Sequence, residues 1–144
     1  MTNAIILEEF ADRHEEIHEQ LEVAESWLER LPFDDLAARK RVMAQIVAFL
    51  ERYALVDANW EEEHLFPLIG DRSVVLSTEH RYIARAVEGL GALARAADPE
   101  PTLFRRTAFK LFGLLEAHMD CEERLLATDT SVTSHSHARH SQTD

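Results

Sequence analysis

The stretch FRRTAFKLFGLLEAHMDCEERLL, residues 104–126, decides the fold. Phe104, Ala108, Leu111, Leu115, His118, Glu122 and Leu126 follow one another at steps of three and four, so on an α-helix they make one stripe along one face. An apolar stripe of this length marks a helix packed on others. His118 and Glu122 lie in phase with that stripe, where a polar side chain loses its hydration unless something satisfies it. Residues four apart stand one above the other on a helix, so both can point at one ion.

The same pattern recurs upstream. A first helix is expected from about residue 4 to Leu31, with Phe10, His14, Ile17, Leu21, Ala24 and Leu28 on its inner face. Pro32 ends it, and Asp34 or Asp35 can cap a second helix running through Ile46, Phe49, Leu50, Tyr53, Asp57 and Glu61 toward Phe66-Pro67. After a break at Gly70-Asp71-Arg72, Leu76, His80, Ile83, Val87 and Leu90 mark a third helix. The turn Ala97-Asp98-Pro99-Glu100-Pro101 leads into the fourth. Long helices joined by short loops predict an all-α, up-down-up-down four-helix bundle over residues 1–127. From Thr128 to Asp144 the chain is Ser, Thr, His and Asp with almost no apolar content, and a disordered polar tail is expected there, with His135, His137 and His140 as a weak metal-binding tract.

Laying Glu61 on Glu122 puts Leu65 on Leu126, Glu62 on Glu123 and Asp57 on His118, while His14 and His80 match independently. The two helix pairs read as halves of a pseudo-symmetric bundle. Such symmetry is a natural way to hold two metal ions, with two glutamates bridging across the middle.

Composition narrows the classes further. The chain has 144 residues, 46% of them hydrophobic, which suits one domain with a real core. Its 27 acidic against 15 basic residues give a formal charge of -12, which repels nucleic acid and anionic membrane surfaces. No stretch is long enough to span a bilayer. The opening residues run at once into Glu8 and Glu9 and lack the basic and apolar regions of a secretory signal. A single cysteine rules out an intrachain disulfide and is compatible with a reducing cytoplasm, the expected location.

Imidazole and carboxylate donors together suit iron, manganese or zinc better than copper(I), and the absence of cysteine pairs removes a structural zinc or iron–sulfur reading. On Leu7-Glu8-Glu9-Phe10 leading to His14, Glu61-Glu62-Glu63-His64-Leu65-Phe66-Pro67, Glu79-His80-Arg81, and His118 with Glu122 and Glu123, the chain resembles the hemerythrin-like family of His-His-Glu cation-binding domains over about residues 4 to 127. The resemblance implies a four-helix bundle with a non-haem diiron centre, its two glutamates bridging and its histidines outside. It also implies a role in binding or sensing oxygen, nitric oxide or iron, or in the response to oxidative stress. The ligand set on this reading is His14, Asp57, Glu61, His80, His118 and Glu122, with Glu61 and Glu122 bridging.

One departure matters. Asp57 stands at the helix-two position that carries a histidine in the family. An anionic oxygen donor stabilises the ferric state, which argues against tight reversible oxygen carriage and toward a carboxylate-rich diiron enzyme acting on peroxide or ferrous iron. A half-filled site, with one ion on His80, His118 and Glu122, stays open, as does a metal-free helical interaction module. His18 competes with His14 and is read as a solvated surface residue; His64 could substitute for the missing histidine. Glu62, Glu63 and Glu123 read as solvated, with one of them available to accept an N–H from a ligand histidine. Trp60, Cys121, Tyr53 and Tyr82 read as packing residues, and a buried Cys121 thiol among carboxylates should react slowly.

Overall fold

The computed structural model describes residues 2–142, with side chains through residue 127. Within them the chain is all-α, in four rods. The first is α1 (Asn3–Glu29), capped by Thr2, whose hydroxyl accepts from the Ile5 N–H at 3.2 Å. The second rod, residues 36–69, opens with α2 (Leu36–Arg52), passes through a π-helical turn (Tyr53–Asp57), α3 (Ala58–Trp60) and a second π turn (Glu61–Leu65), and closes with α4 (Phe66–Ile69). Asp35 caps its start by accepting the Ala38 N–H at 3.1 Å. Gly70 then adopts φ 78°, where a side chain would be strained, and a 3-10 turn (Gly70–Arg72) reverses the chain into α5 (Ser73–Ala94). The last rod is α6 (Pro101–Gln142), which starts with the Leu103 and Thr102 N–H groups donating to Glu100 at 2.6 and 3.1 Å. The side chains of the polar tail expected from residue 128, including those of His135, His137 and His140, lie outside the described residues.

α1 packs against α2 and α6, α5 against the same pair, and α4 at the end of the second rod also reaches α6. Short connections make successive rods antiparallel. Arg39, buried at the far end, ties two of those connections together. Its Nη1 donates to the Phe33 carbonyl at 2.8 Å and its Nη2 to Asp98 at 2.8 Å.

The core is divided in two. A large cluster contains Leu21, Leu28, Met43, Leu50, Tyr53, Ile83, Leu90, Phe104, Leu115 and Met119. A smaller one contains Ile6, Phe10, Leu65, Phe66, Ile69, Leu76 and Leu126. Between them lies a layer of buried polar residues: His14, Glu61, His80, His118 and Glu122. Each rod contributes to it at the point where its stripe passes from one cluster to the other. Among the described residues no helix is long and apolar enough to cross a membrane.

Candidate metal centre

The second rod reaches this layer by an irregular route. Its buried positions run Leu50, Tyr53, Ala58, Glu61 and Leu65, with a step of five between Tyr53 and Ala58 where an α-helix would use three or four. That step is the first π turn, which holds an extra residue and rotates everything after it. The expected inward stripe Tyr53-Asp57-Glu61 therefore passes through Ala58 instead. Asp57 points to the side, where its Oδ1 accepts from Arg13 Nη1 at 2.7 Å. Arg13 also donates to Glu9 at 3.0 Å and lies 4.6 Å over the Trp60 ring. Burial raises the Asp57 pKa, and the Arg13 charge only partly offsets it.

Inside the layer the two carboxylates are shared between opposite walls. Glu61 places Oε2 3.3 Å from His14 Nε2 and Oε1 2.9 Å from His80 Nε2. Glu122 places Oε1 3.1 Å from His14 Nε2, and Oε2 3.7 Å from His80 Nε2 and 3.3 Å from His118 Nε2. Each glutamate thus turns one oxygen to His14 and the other to His80, and that of Glu122 reaches His118 as well. Glu61, His80, His118 and Glu122 each offer one donor atom, and these four atoms lie within 4.8 Å of one another.

All three histidines face inward through Nε2, and each sets Nδ1 near a glutamate of another rod. His118 Nδ1 stands 2.7 Å from Glu79, His14 Nδ1 3.3 Å from Glu123, and His80 Nδ1 3.9 Å from Glu62. An outer carboxylate that holds the Nδ1 hydrogen leaves the Nε2 lone pair free for a metal and makes it a better donor. Phe10 packs on His14 at 3.9 Å between ring centroids and Phe66 stacks on His80 at 5.1 Å, so the rings cannot turn freely.

Left to themselves these groups suit one another poorly. His118 Nε2 and Glu122 Oε2, both sealed from solvent, have no hydrogen bond despite facing each other. Burial alone would push the imidazolium forms down. The neighbouring carboxylates Glu122 and Glu61 outweigh it, raising the His14 pKa to about 10 and the His80 pKa to about 9, and His118 is raised by Glu122 and Glu79. Glu61, pushed up by burial and by Glu122, reaches about 7. Glu122 goes well below the ordinary carboxylate range, since His118, His14 and His80 outweigh its burial. This mixed nitrogen and oxygen donor set fits a divalent or trivalent transition metal.

Residues 5–128 match the family model of the hemerythrin HHE cation binding domain. The chain belongs to that family. No curated protein and no solved structure matches it. The HHE domain thus spans nearly the whole region with described side chains, and its Glu and His cluster is where a metal ion could be held.

Within this hemerythrin-family bundle the six residues singled out from the sequence separate into two groups. His14, Glu61, His80, His118 and Glu122 meet in one layer, and Asp57 is held outside it by Arg13. His18 is half exposed with Nε2 3.9 Å from Glu123, and His64 lies against Trp60 with its Nε2 3.8 Å from Glu63. Glu123 lies within hydrogen-bond distance of His14 Nδ1, whereas Glu62, at 3.9 Å, leaves His80 Nδ1 without a hydrogen bond. Arg13 and Glu79 make contacts the sequence did not disclose, because both reach across rods. The one available signal for Glu79 is its place in the Glu79-His80 pair of the family motif.

Proposed function

We propose that this protein holds two non-haem iron ions in the polar layer and uses them to bind or sense a small ligand such as oxygen or nitric oxide. The observation that carries this is the split of Glu61 and Glu122 between opposite walls, the disposition two bridging carboxylates need. One ion would rest on His80, His118 and an oxygen of each glutamate. The other would rest on His14 and the remaining two oxygens, with Asp57 joining only when it leaves Arg13. The second position has fewer donors and would hold its ion less tightly. Iron supplies a redox-active metal with room for a small ligand; the chain holds and orients it and keeps water out between two apolar clusters. Manganese and zinc accept the same donors, so the metal is settled by composition and not by geometry.

The anionic donor set supports a second reading, turnover of peroxide or oxidation of ferrous iron, because carboxylates favour the ferric state. The two are separated by one set of measurements on ferrous-loaded protein made without oxygen. Addition of nitric oxide or oxygen should change the visible spectrum at one equivalent, and His118→Ala should show no such change. Sustained consumption of peroxide or ferrous iron would favour the enzyme. Iron-loaded protein that is silent to both gases would contradict the ligand-binding role.

A further inference from the structure

Tyr53 stands against the polar layer and takes no part in it. It belongs to the first π turn and the large apolar cluster, is 1% exposed, and presents its ring edge-on to both His80 and His118 at centroid distances of 6.5 and 6.4 Å. Its hydroxyl is sealed from solvent and has no hydrogen-bond partner. Phenylalanine would fill the same space without leaving a buried polar group unmet, so the oxygen is a cost to the fold unless something else uses it. The π turn puts it there, since its extra residue separates the inward positions Tyr53 and Ala58.

The surroundings favour a donor. A buried phenol keeps its hydrogen at neutral pH. That hydrogen is given to neither Glu61 nor Glu122. A cavity of about 270 Å³ between α5 and α6, lined by Glu79, Tyr82, Leu114 and Ala117, opens onto His118.

We infer that Tyr53 donates its hydroxyl hydrogen to a small anion bound at the metal centre, on the side of His80 and His118. This rests on the proposed metal site. It makes Tyr53 a specificity-determining residue: anions with an exposed lone pair are held, and ligands of the same size without one gain nothing from it.

The test is azide titration of ferric-loaded protein followed by visible absorption, with iron per chain measured on the same samples. Tyr53→Phe should bind as much iron as the unaltered protein and hold azide about tenfold or more weakly, the loss expected for one hydrogen bond to a charged group. Tyr82→Phe, which removes the hydroxyl of a largely exposed tyrosine, should bind azide unchanged. Equal azide affinity in the Tyr53→Phe and unaltered proteins would overturn the inference. So would an iron–phenolate absorption band before azide is added that is lost in Tyr53→Phe, because the oxygen would then be a metal ligand. Failure of the unaltered protein to hold iron is read separately, from the iron content, and would overturn the metal site itself.

Discussion

His118 meets Glu79 at 2.7 Å through Nδ1, and the consequence is that Nε2 is the nitrogen left for an ion. Glu79→Gln keeps an acceptor at that point and should keep most of the metal affinity. Glu79→Leu removes it and should weaken metal binding by about tenfold or more, as measured by competition with a chelator, with the helical circular dichroism unchanged. Arg13 acts in the opposite sense. By holding Asp57 at 2.7 Å it keeps a carboxylate away from the His14 side, so Arg13→Met should free Asp57 and tighten the more weakly held ion. An unchanged second affinity in that variant would mean that Asp57 has no part in the site. At this scale the sequence was legible along each helix and blind between them. The stripe located His14, Glu61, His80, His118 and Glu122, because a polar residue in phase with apolar ones has only one direction to face. Nothing in spacing along one rod says that Arg13 will meet Asp57 or that Glu79 will meet His118.

The rods themselves follow from their caps and stripes with one exception. Asp35 and Gly70 act where the sequence puts them, and the turn before α6 is closed by Glu100, whose carboxylate is held below its ordinary pKa by the Leu103 and Thr102 amides. Asp35→Ala should lower stability by about 1 kcal/mol, read from the denaturation midpoint, and leave metal content unchanged, since the cap lies far from the polar layer. The exception is the pair of π turns. Tyr53-Ala54-Leu55-Val56-Asp57 contains no glycine, proline or polar run to mark an extra residue, and the apolar Leu55 and Val56 are left facing solvent. The irregularity goes with tertiary packing: Tyr53, Ala58, Glu61 and Leu65 are all buried in the bundle. That is why the inward placement of Glu61 was legible and the outward turn of Asp57 was not.

In the whole molecule, two apolar clusters grip a polar layer that could hold a cation, and this sets how stability responds to pH and to metal. In the metal-free protein His14 and His80 have pKa values of about 10 and about 9, above the ordinary 6.5. Their contribution is fully present below pH 6.5 and is lost as pH rises through those values. Glu61, raised from 4.5 to about 7, binds its proton more tightly when folded and pushes in the same direction over a lower window. Glu122, lowered, contributes above pH 4.5 and loses that contribution only in stronger acid. The melting temperature of the metal-free protein should therefore fall as pH rises from about 6.5 toward 9, and metal should reverse the trend, since binding displaces those protons and tightens with rising pH. A melting temperature that does not respond to chelation would favour a metal-free bundle. The most direct test of the central claim is the metal content per chain of protein purified under low oxygen without added metal. Close to two irons, with one removed by chelator well before the other, is the predicted result. A chain that carries no transition metal, and takes up none when iron is supplied, would contradict it.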